Sequence, residues 1–129
     1  MKTSLQVYLH GSVAAVDFYQ KAFGAELGYH ERHADGTFMH AELYVSGDFL
    51  LALSEANNEM ARENRMKYSA VTYPAMNFCV NLGTEAAVRQ AYTVLSQDAN
   101  ILYPLGSLPW SVCCANLVDK FGIFWYIAV

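Results

Sequence analysis

The sequence predicts an α+β fold made of two tandem copies of a strand–helix–strand–strand–strand (βαβββ) module. The chain has 129 residues, the length of one domain that can bury a core. The same order of strand and helix patterns occurs twice along it. Similar text ends each copy, where Ala41-Glu42-Leu43 and Ala115-Asn116-Leu117 each precede a turn and an apolar run. We therefore expect a single domain over residues 1–129, with modules at about 3–54 and about 75–129.

The first module begins with an apolar-rich strand over residues 3–10. Gly11 and Ser12 then open a helix, in which Ser12 is the expected N-cap. Apolar residues recur after it at helical spacing, and Gly24 ends the helix at the C′ position. The expected buried face of this helix consists of Val13, Val16, Tyr19 and Phe23.

Three strands complete the first module, each bounded by residues that favour turns. They cover residues 26–33, 37–45 and 49–54. The connections are Ala34-Asp35-Gly36 and Ser46-Gly47-Asp48, and both have the composition of hairpin turns.

The second module repeats this order. A strand covers residues 76–82, and Thr84 is the expected N-cap of a helix that continues to about Gln97. One face of this helix carries Val88, Ala91 and Leu95. The remaining strands are expected at residues 101–103, 112–118 and 123–129, with a hairpin turn at Asp119-Lys120-Phe121-Gly122.

The two modules are joined by residues 55–74, a polar stretch of mixed charge. A connection of this length is unusual inside a compact domain. The simplest interpretation is a solvated linker. A crossover or a flap, with a helical turn at about residues 60–67, is the alternative.

Composition excludes several functional classes. Hydrophobic residues make up 54% of the chain and charged residues 16%, which argues against disorder. The net charge of −4 and the absence of a Lys/Arg cluster argue against nucleic-acid binding. A long uncharged run, residues 68–84, contains Pro74 and Gly83 and therefore predicts no membrane span.

The N-terminus and the cysteines predict a cytoplasmic protein. His10 and Asp17 interrupt the apolar run of the N-terminal segment, so it does not have the pattern of a signal peptide. The three cysteines are an odd number without CxxC spacing, which does not indicate a disulfide framework. Cys79, Cys113 and Cys114 are each expected to be buried as small apolar residues.

Three stretches of the chain resemble the vicinal oxygen chelate superfamily, which includes glyoxalase I, bleomycin-resistance proteins and extradiol dioxygenases. They are VDFYQKAFGAE, MHAELYVSGDFLLALSEA and VDKFGIFWYIAV. The chain is most similar to the PhnB-like (3-demethylubiquinone methyltransferase-like) branch, in which FYxxAFGAE, MHAEL and a Trp before the final hairpin recur. These correspond to Phe18–Glu26, Met39–Leu43 and Trp110. The resemblance covers nearly the whole chain.

This resemblance implies that the two modules form a curved, partly open mixed sheet around a cavity. In metal-using members, four ligands, usually His, Glu or Gln, lie on the first and last strands of each module. The matching positions here hold Gln6, Ala52, Asn77 and Tyr126. Two neutral amides and a phenol bind a catalytic divalent cation poorly, because such a site needs several anionic or imidazole ligands. We therefore predict no cofactor, with a weakly held divalent ion as the alternative.

His40 and Glu42 are the strongest candidates for chemistry. They lie two residues apart in the strand FMHAELYV and therefore project from the same face. One interpretation is an acid–base pair in the cavity, with the imidazole oriented by the carboxylate. The others are a hydrogen-bonded structural pair and a solvent-facing pair, the latter with Met39, Ala41 and Leu43 turned towards a helix.

Aromatic residues indicate what the implied cavity accommodates. Phe124 and Tyr126 share one strand face, whereas Trp125 takes the other. Such a lining suits a flat or moderately apolar organic ligand, although core packing explains each single aromatic as well. His30 and His33 could form a metal site, but a solvated turn explains them equally well. The predicted ligand-binding residues are Tyr8, His10, His40, Glu42, Asn77, Cys79, Trp110 and Tyr126.

The sequence and the resemblance together predict a metal-free small-molecule-binding protein, homodimeric as is common in the family. One alternative is a lyase, isomerase or dioxygenase-like enzyme that uses His40 and Glu42 or a weakly held divalent ion. The other is an interaction domain without a ligand. The branch name does not support a methyltransferase, because the chain has no glycine-rich loop for S-adenosylmethionine.

Overall fold

The computed structural model describes residues 1–56 and 74–129. Contacts divide the chain into two compact units, residues 1–62 and 63–129. Each unit is a four-stranded mixed sheet with one helix packed against it, which confirms the predicted α+β class and the βαβββ order. No helix in the described ranges is long and apolar enough to cross a membrane. The linker and its predicted helical turn fall mostly outside the described residues.

The first unit has the strand order β1-β4-β3-β2, in which β1 pairs parallel with β4 and the other pairs are antiparallel. Helix α1 packs against β2, β3 and β4. Val13 was expected on its buried face but is 47% exposed, while Val16, Tyr19 and Phe23 are buried as expected. The elements are β1 (Gln6–Leu9), α1 (Ser12–Phe23), β2 (Glu26–Arg32), β3 (Phe38–Val45) and β4 (Asp48–Glu55).

The start of α1 differs from the sequence-based prediction. Gly11, at φ 82°, is the N-cap residue, and Ser12 is the first helical residue. The Ser12 hydroxyl does not cap the helix, because it accepts the backbone N–H of Phe38 at 2.8 Å. The cap comes instead from Glu55 at the end of β4, whose two carboxylate oxygens accept the N–H groups of Gly11 (3.0 Å) and Ser12 (2.9 Å). At the other end, Gly24 adopts the predicted left-handed conformation and closes the helix.

The second unit has the strand order β5-β8-β7-β6, in which β5 pairs parallel with β8. Helix α2 packs against β7 and β8 through Val88, Ala91 and Leu95, as predicted. Thr84 caps it by accepting the N–H of Ala87 at 3.2 Å. The elements are β5 (Phe78–Asn81), α2 (Glu85–Leu95), β6 (Asn100–Leu108), β7 (Ser111–Val118) and β8 (Phe124–Ala128).

Strand β6 is longer than the predicted segment 101–103. It continues through Pro104 and Gly106, which favour a break in a strand. The continuation is tolerated because β6 is the edge strand of its sheet, where Pro need not donate to a neighbour. Along this extended strand, the pairing of β6 with β7 shifts register at three points.

Asp119 organises the turn between β7 and β8. Its side chain is buried and accepts the N–H groups of Phe121 (2.9 Å) and Ile123 (3.0 Å), and the indole N–H of Trp125 (2.8 Å). Trp125 is fully buried. The carboxylate therefore ties the turn directly to the core of the second unit.

We expect Glu55→Gln to lower the free energy of unfolding by about 1–2 kcal/mol at pH 7, because a charged cap of α1 is lost. Burial raises the pKa of Glu55, but hydrogen bonds from Ser12 and Gly11 outweigh it and hold the pKa below its ordinary value of 4.5. Since the folded-state pKa is the lower one, this stabilisation is present above the unfolded-state pKa and is lost as the pH falls through the folded-state value. Urea denaturation between pH 7 and pH 3 measures it.

Glu85→Gln is the matched control, since Glu85 also lies in the first turn of a helix but is 52% exposed and pairs with Arg89 on the helix surface. Its cost should stay below about 0.5 kcal/mol. Equal costs for the two variants, or a Glu55→Gln effect that does not change with pH, would contradict the assignment of the cap.

Asp119→Ala should destabilise the chain by about 3 kcal/mol, because buried N–H groups lose their acceptor. Asp35→Ala is the control, since Asp35 also holds a hairpin turn, through the N–H and hydroxyl of Thr37, but is exposed. Its cost should be below about 1 kcal/mol. Guanidinium denaturation measures the free energy of unfolding of both variants. A similar decrease in the two variants would show that burial of the Asp119 carboxylate is unimportant.

Candidate functional site

Each sheet has one face against its own helix and an opposite face, which we call the non-helix face. In the first unit, alternation along the strands directs Ala41, Leu43 and Leu53 to the helix, where they are fully buried. His40 and Glu42 lie on the non-helix face. This confirms the prediction that they project from the opposite face of the strand to Ala41 and Leu43. Met39, expected beside Ala41, is exposed because β3 carries an extra residue at this point in its pairing with β2.

Strand register places three side chains in a row across the non-helix face of the first unit. Gln6 of β1 lies beside Ala52 of β4, and Ala52 lies beside Glu42 of β3. The amide N–H₂ of Gln6 donates to the hydroxyl of Ser54 at 2.9 Å. Gln6 and Ala52 thus occupy adjacent positions on the first and last strands, as the resemblance implies.

The equivalent row of the second unit consists of Cys79, Tyr126 and Asn116. The resemblance implies Asn77 as the ligand position on the first strand of this module, but Asn77 precedes β5, and Cys79 is the residue of β5 beside Tyr126. Cys79 is also exposed rather than buried, and its thiol donates to Asn77 Oδ1 at 3.3 Å. Cys113 and Cys114 are buried, as expected.

His40, Glu42 and Tyr44 form a hydrogen-bonded network along β3. His40 Nε2 lies 3.2 Å from Glu42 Oε1, and the Tyr44 hydroxyl donates to Glu42 Oε2 at 2.6 Å. The side chains of His40 and Glu42 are 33% and 25% exposed, so both are accessible without being fully solvated. The hydrogen bond from Tyr44, followed by that from His40, lowers the pKa of Glu42, whereas the same contact raises the pKa of Tyr44. Glu42 is therefore an anion at neutral pH.

Strand β2 extends this network with two residues that the sequence analysis did not identify. The hydroxyl of Tyr29 donates to Glu31 Oε1 at 2.9 Å, which is the main reason that the pKa of Tyr29 is raised. The Tyr29 ring lies 6.0 Å from the His40 ring. The sequence signal for this crowded region was Gly28, because a glycine inside a strand indicates that another group approaches its backbone closely. A Cβ there would lie 2.6 Å from the Tyr44 ring.

In the second unit, Trp110 and Tyr126 form a polar aromatic pair. Trp110 is 72% exposed, and its indole N–H donates to the Tyr126 hydroxyl at 3.0 Å. Burial, helped by the Cys114 thiol, raises the pKa of Tyr126 above its ordinary value of 10.0, although the bond from Trp110 acts in the opposite direction. Tyr126 is thus a neutral phenol at pH 7. Asn116 Oδ1 is buried and has no hydrogen-bond donor among the described residues.

Other predicted residues lie in different surroundings. Tyr8 is exposed on β1, whereas His10 contacts Glu55, with Nδ1 3.8 Å from Oε2, beside the start of α1. His30 packs edge-on against Phe38. A pocket of about 340 Å³ adjoins the turn between β2 and β3, and His33, Ala34, Asp35, Thr37 and Glu55 line it.

The positions on the first and last strands of the two rows do not suit a divalent metal ion. Ala52 has no donor atom, Gln6 offers a neutral amide, and Tyr126 is a neutral phenol that already accepts an indole N–H. Within residues 1–56 and 74–129, no three His, Cys, Asp or Glu side chains are grouped as metal ligands. The donor set therefore disagrees with the four-ligand pattern of metal-using relatives.

Comparisons with solved structures show where this fold recurs. A PhnB protein from Bacillus cereus is 26% identical, with a TM-score of 0.75 over 99% of this chain and 98% of its own. A glyoxylase/bleomycin resistance protein/dioxygenase domain from Frankia sp. EAN1pec is 11% identical, with a TM-score of 0.70 over 100% and 96%.

FosX from Listeria monocytogenes, a fosfomycin resistance protein solved as a point mutant with Mn(II) and 1S,2S-dihydroxypropylphosphonic acid, is 8% identical. Its TM-score is 0.66 over 99% of this chain and 90% of its own. No family model matches the sequence, and no curated protein matches it.

Tyr44→Phe is expected to raise the pKa of Glu42 towards its ordinary value of 4.5, because the largest cause of its lowering is removed. Carboxyl ¹³C chemical shifts followed between pH 2 and pH 7 measure this change. Tyr29→Phe is the control, since Tyr29 donates to Glu31 instead. An unchanged Glu42 pKa in Tyr44→Phe, or an equal rise in both variants, would contradict the network.

Proposed function

Because the chain belongs to the vicinal oxygen chelate superfamily, on its PhnB-like branch, we propose that it is a small-molecule-binding protein that works without a metal. Its ligand is a flat or moderately apolar organic molecule held at the non-helix face of a unit. The PhnB protein, similar over nearly the full length of both chains, supports the branch assignment. The role and the ligand rest on the side chains of these faces.

One observation carries the proposal, namely the composition of the non-helix faces. The helix faces of both sheets are packed with fully buried apolar side chains. The non-helix faces instead carry partly accessible phenol, indole, imidazole and carboxylate groups, whose positions are fixed by hydrogen bonds to one another. A ligand site combines aromatic surface with a few oriented polar groups in this way. A face made only for core packing would be apolar.

The donor chemistry of the first-strand and last-strand positions supports the metal-free part of the proposal. FosX binds Mn(II) on the same fold, but at 8% identity this similarity concerns the fold alone. In this chain the first and last strands supply Gln6, Ala52, Cys79 and Tyr126. A single neutral amide, a thiol and a phenol leave a divalent cation without sufficient negative charge.

We expect the purified chain, dialysed against MnCl₂, NiCl₂ or ZnCl₂ and then against buffer, to retain less than one equivalent of metal. Elemental analysis measures the retained ion. A retained equivalent that disappears in Gln6→Ala or Tyr126→Phe would contradict the metal-free proposal, whereas one that persists in both variants lies elsewhere.

Ligand binding is tested by titrating the ¹⁵N-labelled chain with an aromatic fragment library. Shifts should cluster at β1, β3, β4, β5, β7 and β8, and Trp110→Ala should weaken those in the second unit several-fold. Val13→Ala, which removes an exposed apolar side chain on α1, is the control and should have no effect. If no fragment binds, the chain is an interaction domain, and the proposal is wrong.

The contact between His40 and Glu42 favours a second candidate, an isomerase or lyase that uses this pair as acid and base. An imidazole within 3.2 Å of a carboxylate is held in one orientation and can move a proton. In D₂O, such an enzyme would exchange a C–H proton of a bound carbonyl compound. His40→Gln should abolish exchange without abolishing binding. Exchange that persists in His40→Gln would exclude this pair.

The proposal includes a cytoplasmic homodimer. Family habit supports the dimer, and the three free cysteines are compatible with a reducing compartment. Sedimentation equilibrium tests the oligomeric state directly.

A further inference from the structure

The non-helix face of the first unit has an excess of negative charge. Glu31 and Glu42 lie in the network described above, and His40 is the imidazole within it. Two carboxylates and one imidazole give a net charge of −2, or −1 when His40 is protonated. Both values remain negative, so this face attracts positive charge under all ordinary conditions.

The basic residues of the first unit do not neutralise this charge in the part of the chain that the structure describes. Lys2 is exposed in the segment before β1. Lys21 pairs with Asp17 on α1, at 2.8 Å. Arg32 packs over the Phe38 ring, 4.2 Å from its centroid, and donates to the carbonyl oxygen of Gly36. None of these three forms an ion pair with Glu31 or Glu42.

The phenol and amide donors named below are already engaged, whereas the two carboxylates keep free acceptor positions. Tyr29 and Tyr44 donate their hydroxyl hydrogens to Glu31 and Glu42. The Gln6 amide N–H₂ donates to Ser54 and to the carbonyl oxygen of Val7. A carboxylate can accept about four hydrogen bonds, so Glu31 and Glu42 each keep free lone pairs. A ligand that meets this face must therefore supply donors.

The aromatic ring of Tyr29 adjoins this network. Its hydroxyl donates to Glu31, and the ring lies beside His40. Tyr29 is 62% exposed, so the face of its ring is accessible. An aromatic face attracts a cation through its quadrupole.

We propose that the ligand carries an organic cation, a protonated amine or a guanidinium, which binds between Glu42, Glu31 and the Tyr29 ring. This inference rests on the proposed function, because it names the chemical class of the molecule that binds there. The free lone pairs accept the N–H groups of the cation, and the ring contacts its adjoining carbon atoms.

Three probes that share a phenyl ring and carry a positive, a neutral or a negative head group test this inference, namely benzylamine (an ammonium ion at pH 7), benzyl alcohol and benzoate. Each is titrated into the ¹⁵N-labelled full chain, and dissociation constants are read from resonances of β2 and β3. The ammonium ion should bind about fivefold or more tightly than the alcohol, and benzoate should bind most weakly.

Glu42→Gln and Glu31→Gln should each weaken binding of the ammonium ion several-fold and leave the alcohol unchanged. Asp17→Asn is the matched control, since it removes one negative charge from the same unit on α1, and it should change neither constant. The spectrum of each variant shows directly whether it is folded. The comparison of the three probes on the wild-type chain tests the inference even if a variant does not fold.

Two contrary results are distinguishable. Benzyl alcohol or benzoate binding at least as tightly as the ammonium ion overturns the inferred ligand class and leaves the proposed function intact. Failure of all three probes to shift any resonance on the non-helix faces overturns the proposed function, and the inference with it.

Discussion

Parallel pairing between the first and last strand of each unit is the constraint on which most other features depend. Parallel neighbours need a crossover, and in each unit the crossover contains the helix and two further strands. In the first unit, β1 leads directly into α1, and Leu9 at the end of β1 lies beside Glu55. The ladder thereby brings a carboxylate to the helix N-terminus, where amide N–H groups and the helix dipole favour it.

The same ladder determines which side chains meet on the non-helix faces. It brings Gln6 beside Ala52 in one unit and Cys79 beside Tyr126 in the other. The backbone pairing is equivalent, but the chemistry is not, because a sheet imposes position and leaves the side chain free to vary. A fold that elsewhere holds metal ions can therefore present hydrogen-bonded aromatic and polar surfaces instead. Glu42, next in the first row, is oriented by hydrogen bonds with its strand neighbours His40 and Tyr44.

Local patterns predicted the features that depend on nearby residues. Thr84 caps the helix three residues ahead of Ala87, and Gly24 closes α1 with a conformation that glycine adopts easily. Period-two alternation separated His40 and Glu42 from their buried neighbours. The predicted length of β6 was wrong, because Pro and Gly usually end a strand. They are tolerated here because β6 is an edge strand, and a strand's place in the sheet is set by the tertiary structure. The ligand-binding roles remain predictions.

By itself, the sequence determined the repeated βαβββ order, the helix ends that use local caps, and the separation of His40 and Glu42 from Ala41 and Leu43. The tertiary structure decided the rest. It replaced Ser12 with Glu55, which is distant in sequence, as the cap of α1, and it placed Cys79 instead of Asn77 beside Tyr126. Caps and alternation depend on neighbours a few residues away, whereas register is set by pairing between distant strands. A shift of one residue reverses every side chain, so register must come from the assembled sheet.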